Sequence, residues 1–268
     1  MNVNFLIDRD VVEVNFFESI FSFGKDEILS VESTDLTYHQ YWYNQGFEVF
    51  DLTTDSEFSI VRDNVSKIIC DIAGSIFDIE HYHRYVNEET HRKVISKTRD
   101  LFPQDFSFNL AHKLEEILGF GLTDIDPDTG KKLHIILRIN RPKSNDFNPP
   151  HKDIYESLDR YSLLPKLVNF WIPICGVTNQ SMLPIVPESH LIPENRILRT
   201  CDGGNMNQNK YRVRSILNWN GENIMMRPLI KDKQILVFTP HLIHGCAFNN
   251  QEDMTRVALE YRLFKKDS

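Results

Sequence analysis

Three stretches decide the fold: Leu133–Ile139 (LHIILRI), Val168–Ile174 (VNFWIPI) and Ile235–Phe238 (ILVF). Each is short, rich in Val, Ile, Leu and Phe, and flanked by turn-forming residues, which is how a strand reads. Met182–Val186 and Arg256–Phe264 read the same way. No helical pattern of ten to fifteen residues lies between successive strands. That argues against βαβ units and predicts an antiparallel barrel or sandwich.

The chain ahead of these strands has a different character. Gly46–Leu52 (GFEVFDL) reads as a short strand. Thr54 and Glu57 have the spacing of a capping box. Phe58, Val61, Val65, Ile68, Ile69 and Ile72 then follow at helical spacing, and Gly74 supplies a stop. A more polar helix is predicted from Glu88 to Arg99, and a third from Phe106 to Leu118 with Asp105 as its cap. Residues 1–45 are mixed and aromatic and carry no assignable period. The turn-rich DIDPDTGKK (124–132) separates the two styles. The expected organisation is a single domain over 1–268. It has a mixed N-terminal region to about 122, whose helices support the barrel, and a β core from about 123 with a long loop near 191–227.

Composition removes several classes. The chain has 268 residues, 41% apolar and 25% charged, with a formal net charge of −8. That is ordinary for a globular protein and excludes disordered and collagen-like chains. The acidic balance argues against nucleic acid or an anionic membrane as partner. No apolar run approaches the roughly 18–20 residues needed to span a bilayer. The N-terminus has no basic stretch leading into an apolar one, so a secretory signal is not expected. The four cysteines, Cys70, Cys175, Cys201 and Cys246, form no C-x-x-C pair. Reduced thiols in a cytoplasmic protein are the expectation.

Chemistry concentrates around His151, Asp153 and His244, with Arg256 twelve residues beyond His244. Residues i and i+2 of an extended stretch point the same way, so His151 and Asp153 can grip one metal while Lys152 faces elsewhere. Two imidazoles and a carboxylate on one face of an iron ion leave three positions for a co-substrate and dioxygen. Ten histidines and 38 acids make roughly one H-x-[D/E] by chance, so the word alone is weak. His151 is nevertheless the only histidine with an acid two places on.

Several ordered words give the site its context. They are His151-Lys152-Asp153, then Asn169-Phe170-Trp171-Ile172-Pro173-Ile174, then Asn179 to His190 (NQSMLPIVPESH). Leu236 to Gly245 (LVFTPHLIHG) follows, leading to Asn249 and Arg256-Val257-Ala258-Leu259. Upstream, Tyr43 to Val49 (YNQGFEV) belongs to the same set. Together they resemble the phytanoyl-CoA-dioxygenase-like family of iron(II)- and 2-oxoglutarate-dependent oxygenases, over about residues 40–265. The chain departs from that pattern where glycines are usual. Glu188 stands in the "PGSH" word, Lys233-Gln234 replaces a "GD", and no glycine lies near Ser181.

The resemblance implies a mainly β fold with flanking α. This is a double-stranded β-helix, a jelly-roll or cupin-like barrel, with N-terminal helices packed on it. It implies iron(II) held by His151, Asp153 and His244, and 2-oxoglutarate as co-substrate. Arg256 would pair with the distal carboxylate of 2-oxoglutarate through its guanidinium fork. The implied reaction is hydroxylation of an unactivated carbon of a small polar metabolite by dioxygen, releasing succinate and CO2. An acid in the Asp153 position favours hydroxylation over chlorination.

His241 competes with His244 as third ligand, but His244 precedes Gly245 as the pattern requires. His190 reads as structural, Arg262 is the second choice for the carboxylate, and Cys246 lies near the metal or is simply buried. Asn169 and Trp171 alternate on one strand and are placed in the co-substrate pocket. Arg138, Asn140 and Arg141, and the loop residues Lys152, Tyr155, Arg160, Arg199, Arg212 and Arg214, are candidates for contacting an anionic or sugar-containing substrate. Arg138, Arg141, Lys152 and Tyr155 lead that group. Two rival readings are a cupin-like metal-dependent hydrolase or isomerase, and a catalytically inactive oxygenase-fold binding protein.

Overall fold

A computed structural model describes the whole chain except residues 18–19, 26–29, 107–109, 157–165, 208 and 267–268. Strands β1 (Asn2–Ile7), β2 (Asp10–Asn15) and β3 (Phe21–Phe23) open the chain, and β4 (Phe47–Asp51) leads into helix α1 (Asp55–Ala73). Helices α2 (Tyr82–Tyr85), α3 (Glu88–Lys97) and α4 (Leu110–Leu118) follow. The later strands are β5 (Leu122–Thr123), β6 (Ile136–Asn140), β7 (Leu167–Cys175), β8 (Ile197–Thr200) and β9 (Gly204–Met206). After them come β10 (Asn209–Tyr211), β11 (Ile216–Trp219), β12 (Ile224–Met225), β13 (Gln234–Phe238) and β14 (Arg256–Lys265).

One layer is an antiparallel sheet of order β4-β13-β7-β14-β5, with β6 also paired to β14. Its central strands β7, β13 and β14 are largely buried on both faces, which is why they read as apolar runs. On one face Phe170, Val237 and Leu259 share a core with Val61, Val65 and Ile69 of α1. On the other face Trp171, Leu236, Phe238 and Ala258 share a second core with Phe5, Ile7 and Ile185 of the opposing layer.

The opposing layer is stitched from short pieces. β3, β8 and β11 pair in the order β11-β8-β3. Ile216 N–H of β11 donates to Pro150 O at 2.7 Å. His151 then bridges His244, and Ile185 bridges both His244 and Met226. Beyond Met226, β12 pairs with β1 and β1 with β2. The two layers make the jelly-roll of a double-stranded β-helix, with helices packed on the outer face of the larger sheet.

Local signals fix the helix ends. The Thr54 side chain accepts the Glu57 N–H, and the Glu57 carboxylate accepts the Thr54 N–H at 2.9 Å. Gly74 closes α1 with φ of 78°. Asp105 accepts the Phe102 N–H at 2.7 Å in a short turn instead of capping the third helix. The expected start of that helix falls on residues 107–109, outside the described set. No helix among the described residues is long and apolar enough to cross a membrane.

Three expectations about the chain's path change. Residues 191–227, read as one long loop, hold β8 to β12, and residues 1–45 hold β1 to β3. Strands β8 to β12, of two to four residues, are too short to show a period of two, whereas β1 and β2 are six residues each and alternate in burial. Met182–Val186, read as a strand, pairs only at Ile185.

Where the resembled pattern has glycines, the backbone keeps the left-handed conformation without them. Glu188 has φ of 63° and Lys233 has φ of 69°. A side chain there crowds its own carbonyl, at a cost of roughly 1–2 kcal/mol. Glu188→Gly and Lys233→Gly should therefore not destabilise the protein, and each should raise its unfolding free energy by about 0.5–1 kcal/mol in urea titrations, the greater freedom of glycine in the unfolded chain offsetting part of the gain.

Candidate metal centre and its cavity

The Asn148-Pro149-Pro150 turn delivers His151 to the second layer, where it meets His244. The two residues exchange backbone hydrogen bonds, His151 N–H to His244 O at 2.9 Å and His244 N–H to His151 O at 3.0 Å. Directly opposed residues of an antiparallel pair present their side chains to one face. The imidazole centroids accordingly lie 4.3 Å apart. Close approach here requires a glycine. Gly245 has φ of 124°, and a Cβ on it would fall 2.4 Å from Pro149 O.

Each imidazole is oriented from behind. His151 Nδ1–H donates to Pro149 O at 2.7 Å, and His244 Nδ1–H to Leu242 O at 3.0 Å. That tautomer leaves both Nε2 lone pairs free to ligate. Burial, helped by the neighbouring His151, pulls the His244 pKa down to about 4, so its ring is neutral near pH 7. Asp153 completes the group: its carboxylate lies 3.5 Å from His151 Nε2 and 3.6 Å from His244 Nε2. One donor atom from each of the three residues fits within 4.8 Å of the others, and all three are buried.

Asp153 is ionised by its surroundings. Burial alone would raise its pKa, but Arg262, His244 and His151 hold it well below the usual carboxylate range. Arg262 Nη2 donates to one oxygen at 2.6 Å and Asn169 Nδ2 to the other at 2.8 Å. Arg262, the second choice for binding the co-substrate, is thus engaged with the metal-facing carboxylate. Two imidazole nitrogens and one carboxylate in a facial set suit a non-heme iron(II) ion.

Arg256 supplies the second test of fit. It is 2% exposed and lines the same cavity as His151, His244 and Trp171. Its Nη2 donates to Asn140 Oδ1, while Nε and Nη1 have no hydrogen-bond partner among the described residues. Its guanidinium sits 5.6 Å from the Trp171 ring centre. Burial lowers its pKa to about 9, which still leaves it cationic at neutral pH. A buried guanidinium with unpaired N–H groups is costly unless an anion completes it, and its fork matches a carboxylate. Counted out to its open mouth, the cavity holds about 340 Å³ of space.

The structure gathers some of the expected substrate residues and disperses others. Arg138 lines the cavity and donates to Glu260 at 2.6 Å. Arg141 turns instead to Asp146, at 2.7 Å, and to Glu88, at 2.9 Å. Lys152 and Tyr155, expected beside substrate, are fully buried on Glu194, at 3.0 and 2.7 Å, and neither lines the cavity. Arg199 joins the same cluster at 3.3 Å from Glu194. Arg212 and Arg214 do not line the cavity either, and Arg160 lies outside the described residues. His241 is buried and faces Thr34 O at 3.4 Å. Cys246 is buried, and that burial pushes its thiol pKa well up. Glu260 was not anticipated. Its signal is parity, because Arg256, Ala258, Glu260 and Arg262 alternate on β14 and face the barrel interior.

No protein-family model matches the chain, and no curated protein matches it in sequence. Solved structures do match in fold. The structure of EctD from S. alaskensis with 2-oxoglutarate and 5-hydroxyectoine is 12% identical, with 93% of this chain and 84% of that chain covered and a TM-score of 0.50. EvdO2 from Micromonospora carbonacea var. aurantiaca is 15% identical, with 92% and 94% covered and a TM-score of 0.50. At these identities the likeness establishes the shared fold.

Two predictions come from this geometry. Gly245→Ala should weaken binding of cobalt(II), used as a spectroscopic stand-in for iron(II), by at least about tenfold, because the clash at Pro149 O separates the two histidines. An unchanged cobalt spectrum and affinity would contradict the pairing described. The second concerns His190, which is buried against the Tyr43 ring and whose pKa burial lowers to about 4. An unfolded histidine titrates near 6.5, so the unfolded chain takes the proton first. Stability contributed by this residue is complete above about pH 6.5 and is lost as pH falls towards 4. His190→Gln should flatten the pH dependence of urea unfolding across that window.

Proposed function

We propose that this chain is an iron(II)- and 2-oxoglutarate-dependent oxygenase of the phytanoyl-CoA-dioxygenase-like kind, hydroxylating a small polar metabolite. The observation that carries the proposal is the buried, partly unpaired Arg256 cation in the same cavity as His151 and His244, the two histidines grouped with Asp153. A metal-dependent hydrolase needs the triad but has no use for that cation. An oxygenase that takes a dicarboxylate needs both.

His151, Asp153 and His244 would hold the iron, and Arg256 would hold the distal carboxylate of 2-oxoglutarate. Together with dioxygen, the bound pair supplies an oxidant for a C–H bond, with release of succinate and CO2. The chain's own contribution is placement and exclusion of water. Pro149 O and Leu242 O fix the two rings, and Asn169 and Arg262 fix the carboxylate. Trp171 closes one wall beside Arg256. Asp153 keeps a carboxylate where a halide would otherwise enter, which supports hydroxylation. The EctD structure, which holds 5-hydroxyectoine beside 2-oxoglutarate, supports a small polar product. The free thiols of all four cysteines suit a reducing cytoplasm.

With a suitable substrate, succinate formation should require both iron(II) and 2-oxoglutarate. His151→Ala and Asp153→Ala should abolish it, and full activity in either without bound iron would overturn the proposal. Arg256→Met should raise the KM for 2-oxoglutarate at least about 30-fold, the scale expected when one partner of a buried charge pair is removed. The iron affinity of that variant should stay near that of the unaltered protein.

A further inference from the structure

The catalytic cavity and a second, larger hollow, of about 1320 Å³ counted out to its open mouth, share Arg138, Asp146, Phe147 and Asn148 in their linings. One wall is α3, from Glu88 to Arg99 just past its end, and the other is the β9–β10 hairpin at Asn209 to Tyr211. At 1.5 Å per residue the helical wall runs for roughly 16 Å. The hairpin is tied to these shared residues by Tyr211, whose hydroxyl donates to Phe147 O at 3.0 Å. The floor is apolar, with Leu137 and Ile139 buried and Ile95 partly buried.

Charge in this groove is unbalanced. Its two acids are already matched. Asp146 is held by Arg141 at 2.7 Å, and Glu88 by Arg141 at 2.9 Å and Arg92 at 3.1 Å. Arg138 is matched by Glu260. Arg99 and Lys210, on opposite walls and both exposed, have no ion-pair partner among the described residues. Two surplus cations therefore face one groove on a chain whose net charge is −8. Exposed cations at a concave, partly apolar surface raise the local concentration of anions.

We infer that this groove binds the body of the substrate, and that the substrate is an extended amphipathic organic acid. Its apolar part would lie on Ile95 and Leu137, its anionic group would lie between Arg99 and Lys210, and its reacting end would pass Arg138 and Asn148 into the cavity. The inference rests on the proposed oxygenase reading for what happens at the deep end; the binding step does not. The groove also accounts for two segments that carry no catalytic residue, since α3 and the β9–β10 hairpin build its walls.

The test uses 8-anilinonaphthalene-1-sulfonate as an amphipathic anion and N-phenyl-1-naphthylamine as its uncharged counterpart. The full-length protein should bind the sulfonate more tightly than the amine, and more weakly as salt rises. The double variant Arg99→Glu/Lys210→Glu should lose at least about tenfold in sulfonate affinity and less than about twofold in amine affinity. Lys131→Glu, an exposed charge reversal away from the groove, should change neither. Unchanged sulfonate binding in the double variant, equal loss of both probes, or no sulfonate binding to the unaltered protein would each overturn the inference. Anaerobic 2-oxoglutarate binding, measured on the same proteins, should be unaffected by the double substitution. Failure of that binding in the unaltered protein would count against the oxygenase proposal and leave the groove standing.

Discussion

His151 and His244 are 93 residues apart in the chain, and two backbone hydrogen bonds of 2.9 and 3.0 Å hold them face to face. Every feature of the site depends on that exchange. It places both imidazoles on the inner face of the second layer, and two residues of extended chain then bring Asp153 to the same point. The pairing is isolated, with no long ladder on either side. Its neighbours must hold it: Ile185 on one flank of His244, Ile216 on Pro150 and the glycine at 245 beneath Pro149. The larger sheet, buried on both faces, is the rigid support against which these short pieces are registered.

Charge is distributed inside the barrel according to what each group must meet. Asp153 is satisfied by two donors and kept ionised, which readies it for a cation. His244 is kept neutral by burial, and carbonyls behind both histidines fix which ring nitrogen faces the metal position. In this cavity Arg256 is left with unpaired N–H groups among the described residues, and that points to an anion. Elsewhere buried ions are paired within the chain, as Lys152 and Arg199 are with Glu194. The contrast between a completed buried ion cluster and an incomplete one separates a structural role from a binding role without reference to any relative.

Much of this was legible in the residues. α1 announces itself through Thr54, Glu57 and Gly74, all local signals. β7, β13 and β14 read as strands because both of their faces are buried. His151, Asp153, His244 and Arg256 were singled out chiefly by the family resemblance, because the H-x-D word and its spacing are weak by themselves. Lys152 and Tyr155 were misleading, because proximity in sequence to His151 says nothing about which face a side chain takes, and the parity that carried Asp153 inward carried Lys152 away. The second layer was hidden because its strands are two to six residues long or single bridges. Glu188 and Lys233 show the backbone keeping a conformation after the residue type that usually marks it has gone, so the turns persist while their signature does not. The partnership of Arg262 with Asp153 depends on a register between distant strands that no spacing rule supplies.

The outer groove and the inner triad divide the work: affinity and selection at α3 and the β9–β10 hairpin, chemistry at the closed end of the barrel. The account stands or falls on whether the inner cavity takes a metal and a dicarboxylate together. The most direct measurement is anaerobic addition of iron(II) and then 2-oxoglutarate to concentrated protein, followed by visible absorption. A weak charge-transfer band that grows only when both are present, and saturates at one iron per chain, is the predicted result. No band at any ratio, with iron bound or unbound, would contradict it.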